Sequence, residues 1–347
     1  MIAWTVIQLH ISNRPKAVSE VSGYLVQGLD TASIDSIIVN TVEERVTLKR
    51  SESGFVVAEK QNYPAELSDI NNLITTCLDI KTEEFCTDNP SNHKDLGVTE
   101  EDAEYVVKFI TPGSKLLTGV IVGKSKAQGP GTYVRMIPGD SVYVTLERPW
   151  IKYNVLNYVD RNLFSMERKE IGSVTVYSAE DTYTLKAGDS GDKIVLQDIL
   201  PEQQLKDGEH EKVFTALQGL KFEDVMRSAG TDKSLTFDKK FVCRLKDSTV
   251  YTLKIAQSDG KTFVACDVEF TDKIPVTKEE GVVESEEELK KKEAKLLAHD
   301  NAKELSTRHS GWVYEISEVD ARNFVKKRSD LITTKVEEDV DVSKEKG

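Results

Sequence analysis

The sequence predicts an α+β fold: two tandem copies of an antiparallel-sheet module with packed helices, the second carrying a charged helical insertion. Three observations predict it. Segments recur in the same order along the 347 residues. The recurring segments are short, β-branched and partly alternating, as half-buried strands require. A stretch of helical periodicity follows the opening strands and can cover one sheet face.

The recurrences are specific. Ile34-Asp35-Ser36-Ile37-Ile38-Val39 returns as Ile171-Gly172-Ser173-Val174-Thr175-Val176, and Val46-Thr47-Leu48-Lys49 returns as Tyr183-Thr184-Leu185-Lys186. Residues 73–86 return as 213–226, residues 105–110 as 241–246, and Thr132-Tyr133-Val134 as Thr262-Phe263-Val264. A duplication reduces the fold to one supersecondary unit, copied.

In the first copy, strands are predicted at 34–40, 45–49 and 54–59, separated by polar turns. A helix follows, with Pro64 in its first turn, where a proline is tolerated. Leu67, Ile70, Leu73, Ile74, Cys77 and Leu78 form its apolar stripe. Asn89-Pro90 breaks the chain, and an acidic loop runs through Glu104. Strands at 105–110, 116–123, 131–137 and 141–146 complete the copy, the last pair joined by Pro138-Gly139-Asp140. Residues 150–164 read as a helix linking the copies.

The second copy departs at one hairpin. Strand 263–266 should turn directly into 312–316, but about 40 residues intervene, far more than a hairpin loop needs. Within this insertion, about 271–311, Glu286–Lys290, Glu287–Lys291 and Glu288–Lys292 are stabilising i,i+4 pairs, and Leu289, Leu296 and Leu297 leave a narrow apolar seam. It reads as a solvated helical arm, or as a projecting arm that docks a partner and is dispensable for folding. The domains are then 1–26, a truncated membrane-anchor stub and linker; 27–165 and 166–333, the repeats; and 334–347, an acidic tail with almost no apolar content, read as disordered.

Composition narrows function. There are 59 Asp plus Glu against 46 Lys plus Arg, a net charge of −13. That field repels a phosphate backbone, and no basic stripe interleaves with aromatics, so nucleic acid is not an expected partner. Cys77, Cys86, Cys243 and Cys266 form no CxxC pair, which argues against zinc. Cys77 and Cys86 fall near the end of one predicted helix. Cys243 and Cys266 fall on predicted strands and read as buried thiols or as a cross-strand disulfide. Residues 1–11 are apolar but too short to span a membrane, which takes about 20 residues. They read either as a buried first element or as the end of an anchor, with Trp4 suited to an interface.

No catalytic motif emerges. Gly123-Lys124-Ser125 resembles a phosphate loop, but Thr118 stands where that motif needs glycine, and another strand follows instead of a helix. His10, His93, His210, His299 and His309 show no ligand spacing. His210 lies among Asp207, Glu209 and Glu211, which reads as an exposed acidic loop rather than a cation site. Trp312, Tyr314 and Trp150 are candidates for an aromatic binding surface, with core packing as the other reading. No catalytic, cofactor-binding or metal-ligating residue is assigned, and no cofactor is expected.

Several stretches together are similar to a bacterial family, the domain of unknown function DUF4340. They are Gly28-Leu29-Asp30 with 34–39, 46–50, Gly54-Phe55-Val56-Val57, Tyr63-Pro64-Ala65, Gly123-Lys124 with Gly131-Thr132-Tyr133-Val134-Arg135, Tyr158-Val159-Asp160-Arg161-Asn162-Leu163, and 308–316. The resemblance spans about 27–332. It implies a single N-terminal membrane helix, a location outside the bacterial inner membrane, and genes beside ABC-type transporter components like those of gliding motility. It carries over no catalytic residue. This chain departs from the pattern in that its anchor is at best a stub, and Arg14 and Lys16 follow it on the side that weakens a positive-inside signal. The expected function is a non-enzymatic extracytoplasmic scaffold or auxiliary protein of the cell envelope, periplasmic and membrane-anchored, whose partners are ABC-type transporter subunits. The alternative is an envelope enzyme or carbohydrate-binding module with its site in a cleft between the repeats.

Overall fold

Alternating burial builds the first sheet outward from its second strand. Ile37 and Val39 point into the core and face Leu48 and Val46 across the strand pair, all four fully buried, while Ser36, Ile38 and Asn40 face the other way. The structure is a computed structural model that describes residues 23–188, 193–230, 235–276 and 285–335. The chain divides into two units at Asp160 and Arg161.

The first unit forms β1 (Gly23–Tyr24), β2 (Ser36–Asn40), β3 (Arg45–Ser51), β4 (Gly54–Val57), β5 (Tyr63–Pro64), α1 (Leu67–Leu78), β6 (Lys81–Thr82), β7 (Glu84–Thr87), α2 (His93–Leu96), β8 (Tyr105–Thr111), β9 (Lys115–Ser125), β10 (Thr132–Ile137) and β11 (Val142–Thr145). Nine strands make one antiparallel sheet in the order β5-β4-β3-β2-β8-β9-β10-β11-β7, and β1 pairs separately with β6. Ile70, Leu73 and Cys77 recur at helical spacing on α1 and are its buried face. The other sheet face is covered by the stretch through α2: Val98 and Ala103 pack with Val106, Ile121, Ile137 and Val142.

Three expectations are corrected here. Pro64 lies in β5, paired with Val56, and α1 begins only at Leu67, capped by Glu66. Residues after Asp79 leave the helix and form the edge strand β7, so Cys86 is an exposed strand residue while Cys77 is buried in α1. The linking helix at 150–164 does not form. Its only regular turn is a 3-10 turn at Val155–Tyr158. Leu156 N–H donates to Asn154 Oδ1 at 2.9 Å, and the Lys152 carbonyl accepts the Tyr158 hydroxyl at 2.5 Å. Those two bonds occupy the groups an α-helix would have paired with each other.

The second unit forms β12 (Ile171–Tyr177), β13 (Thr182–Ala187), β14 (Ile194–Leu196), β15 (Gln203–Leu205), α3 (Glu209–Phe214), β16 (Phe222–Arg227), β17 (Phe237–Leu245), β18 (Thr249–Ser258), β19 (Lys261–Phe270), α4 (Glu286–His309), β20 (Trp312–Ile316), α5 (Glu318–Phe324), α6 (Arg328–Leu331) and β21 (Ile332–Thr334). Its eight-stranded antiparallel sheet runs β14-β13-β12-β17-β18-β19-β20-β16. Phe241 packs on Phe324 at 4.9 Å between ring centroids, which seats α5 against the sheet. The fold as a whole is α+β, with antiparallel sheets and few helices.

The insertion is helical, but it is not a free arm. Ser285 and Glu288 cap α4 reciprocally, and Lys290–Glu286 and Lys291–Glu287 pair along it. Leu289, Leu296 and Leu297, expected to form the seam, are 51–57% exposed. The buried face is Ala298, Ala302 and His309, and Lys295 bonds Asp272 at 2.6 Å. The C-terminal half of α4 therefore packs beside β19, with His299 against Phe270 at 5.8 Å. Of the expected anchor stub and linker, 1–26, and the expected disordered tail, 334–347, residues 1–22 and 336–347 lie outside the described residues, while Gly23–Tyr24 form β1 and Thr334 ends β21. Among the described residues no helix is long and apolar enough to cross a membrane.

Candidate functional site

The site with most binding character is a groove in the first unit, of about 580 Å³, between α1 and the segment after β11. Helix α1 supplies Asp69, Asn72, Thr75 and Thr76, and Asp79, Lys81 and Glu83 continue that wall. The facing wall is Leu146 to Lys152.

The facing wall is anchored by two buried residues and two ion pairs. Pro149 and Ile151 are buried and fix the backbone on either side of Trp150, whose indole is left 74% exposed. Leu146, on the same wall, is 55% exposed. Lys152 Nζ pairs with Asp69 Oδ1 of α1 at 2.5 Å, and Arg148 is paired with Glu104. Beneath them the Tyr158 ring is fully buried, and burial pushes its hydroxyl above the ordinary range. An apolar ring and an isobutyl group held out to solvent beside charged groups are what a recognition surface requires.

The other candidate aromatics pack inside the second unit. Trp312 and Tyr314, two apart on β20, share a face as their spacing requires, and both are buried. The Arg227 guanidinium lies 3.8 Å over the Trp312 ring, and Tyr314 packs on Phe222. Of the three, Trp150 alone is exposed.

The described histidines are engaged structurally. His93 Nε2 sits 2.9 Å from the Asp140 carbonyl and pins the hairpin turn between β10 and β11. Buried His309 takes the Tyr314 hydroxyl at Nδ1, 2.8 Å, and faces the Leu163 carbonyl with Nε2, 3.2 Å. Burial, with the Arg308 charge adding, lowers its pKa to about 4, so the ring is neutral at physiological pH. His210 Nδ1 lies 2.9 Å from the Lys206 carbonyl, and His299 lies beside Asp300. The acidic group around His210 is engaged by cations: Glu209 by Lys212 and Lys326, Glu211 by Arg168. Those hydrogen bonds and charges hold the Glu209 carboxyl down at about 2. His10 lies outside the described residues.

Gly123-Lys124-Ser125 is the end of β9, and its glycine has a packing role. A Cβ at Gly123 would stand 2.7 Å from the Leu96 carbonyl oxygen and 2.7 Å from Val98 Cγ1. Lys124 Nζ donates to the Asp95 carbonyl at 3.1 Å. The four cysteines are free. Cys243 pairs with Tyr251 and Cys266 with Leu253, so β18 lies between them. Two strand spacings of ~4.8 Å exceed the reach of a disulfide. Burial pushes the Cys77 and Cys243 thiols up to about 12, which makes them poor nucleophiles.

The groove was not visible in the sequence. Its walls lie about 70 residues apart, and no periodicity marks Trp150 as exposed. The one available signal was Trp150 itself, already a candidate for an aromatic binding surface.

Comparison with known proteins gives one match. A family model described as Domain of unknown function (DUF4340) matches residues 56–240, which include α1 and all of the groove. No curated protein and no solved structure matches the chain.

Proposed function

The chain belongs to the DUF4340 family, and we propose that it is a non-enzymatic binding protein: an extracytoplasmic auxiliary or scaffold subunit of the bacterial envelope that docks an ABC-type transport system through the Trp150 groove. The observation that carries this reading is the exposed indole of Trp150, held out between two buried neighbours on the rim of a groove of about 580 Å³. A rigid aromatic anchor in a concave site is the side chain that most often dominates protein–protein affinity. The transport setting rests on the family resemblance. In the same reading residues 1–11 belong to a single inner-membrane anchor, and the bulk of the chain is periplasmic.

The same reading takes the two sheets as copies of one duplicated module. Their strand orders support it. Leaving out β5, the first sheet runs β4-β3-β2-β8-β9-β10-β11-β7 and the second β14-β13-β12-β17-β18-β19-β20-β16. In each, the strand just before the long meander in the chain crosses over to the far edge: β7 beside β11, β16 beside β20. A shared non-local crossover is a stronger sign of common origin than shared hairpins, which arise locally.

The test is recovery of partners from native membranes with the full chain as bait. ABC-type transporter subunits should co-purify with the wild type, and Trp150→Ala should reduce their recovery by roughly tenfold. Unchanged recovery with Trp150→Ala, or a wild-type set without transporter subunits, would contradict the proposal.

A further inference from the structure

We propose that the Trp150 groove takes an extended, basic segment of a partner polypeptide, with an arginine or lysine over the indole and a neighbouring apolar side chain on Leu146. This rests on the docking role proposed above and specifies its chemistry.

The argument is one of charge left over. Two of the groove's ion pairs are closed within the unit, Lys152 with Asp69 and Arg148 with Glu104. Asp79, Glu83 and Glu147 remain as three carboxylates against the single ammonium of Lys81. Glu147 lies three residues before Trp150 and lines the same wall, so a basic segment that places a cation over the ring enters a wall that also carries a carboxylate. Cation–π attraction and ion pairing then act on one segment, and each strengthens as water leaves the groove.

The same balance disfavours a neutral ligand. An oligosaccharide stacked on Trp150 would cover the carboxylates without supplying charge, and a buried unpaired carboxylate is costly. A polypeptide supplies the cation, an apolar neighbour for Leu146, and backbone groups for Asn72 and Thr76. A negatively charged partner is rejected by the same groups.

The test titrates the full chain with three probes while following tryptophan emission and heat. The first is a capped octapeptide with the core Leu-Arg-Leu-Lys in a Gly/Ser frame. The second is the same peptide with Glu in place of Arg and Lys, and the third is the trisaccharide of N-acetylglucosamine. The basic peptide should bind at least roughly tenfold more tightly than the acidic one at low salt, and the gap should narrow at high salt. Trp150→Ala should weaken the basic peptide by roughly tenfold, and Trp150→Phe should restore much of that loss. Asp79→Asn combined with Glu147→Gln should abolish the preference between the peptides with the circular dichroism unchanged.

Equal binding of both peptides, preference for the trisaccharide, or no saturable binding would overturn the proposal. So would basic-peptide binding that appears only after Arg14→Glu and Lys16→Glu, which would give the groove to the chain's own N-terminal residues. Failure here combined with Trp150-dependent recovery of transporter subunits would leave the docking role standing and reject only its chemistry. Peptide preference with Trp150-independent recovery would reject the docking role instead.

Discussion

Two residues show how side chains here are fixed by what lies opposite them. Gly123 passes so close to Leu96 and Val98 that a Cβ has nowhere to go. Gly123→Ala should therefore cost about 1–3 kcal/mol, as overpacking does, read from the midpoint of urea unfolding. An unchanged midpoint would mean that the strand can shift. His309 is the second. Its folded pKa, about 4, lies below the ordinary 6.5, so the unfolded chain takes up the proton first as pH falls. The stability tied to neutral His309 is complete above about pH 6.5 and is lost as pH drops toward about 4. At ~1.4 kcal/mol per pH unit the loss is at most roughly 3.5 kcal/mol. His309→Gln should flatten the stability–pH curve across that window relative to wild type. Parallel curves would show that His309 does not drive the acid sensitivity. Gly123 stood out in the sequence only as part of a phosphate-loop motif that failed, and His309 only as a histidine without ligand spacing inside the 308–316 stretch. Their roles depend on backbone carbonyls of segments distant in the chain, which carry no residue-specific signal.

Helix α4 shows which parts of an element can be read from sequence. Its ion pairs are local, set by a spacing of four residues, and they were legible; the Ser285 cap, equally local, was not read. Its buried face was not. Alanine is the best helix former and is equally at home in water, so Ala298 and Ala302 give no apolar signal, whereas exposed Leu289, Leu296 and Leu297 do. The linking segment 150–164 failed for a related reason. Its side chains have enough helical periodicity, but Asn154 and Tyr158 bond the backbone locally instead. The two halves of α4 should respond differently to change. Ala302→Glu places a charge in a buried site and should destabilise the protein by about 2–4 kcal/mol. Leu289→Ala and Leu297→Ala on the exposed face should stay within about 0.5 kcal/mol in thermal melts. Removing the whole insertion should lower the melting temperature, because Ala298, Ala302 and His309 go with it. An unchanged melting temperature would restore the free-arm reading.

At the scale of the molecule, strand positions were legible because alternation and turn residues are local, and eight of the strands fall where the runs at 34–40 through 141–146 and at 312–316 placed them. The edge strands β7 and β16 were not, since each is defined by its partner across the sheet, a strand far along the chain. The groove was hidden for the same reason: α1 and the Trp150 wall meet only once the sheet brings the end of β11 back beside the helix. The central claim is that this groove is where the partner docks. The most direct measurement places a photo-crosslinking amino acid at Leu146 of the full chain in its native membranes, with the same probe at exposed Val42 and Val319 as controls. The account predicts a crosslink from position 146 to an ABC-type transporter subunit, absent from the two controls and lost with Trp150→Ala. Crosslinks of equal yield from Val42 or Val319, or none from position 146 while the transporter still co-purifies, would contradict it.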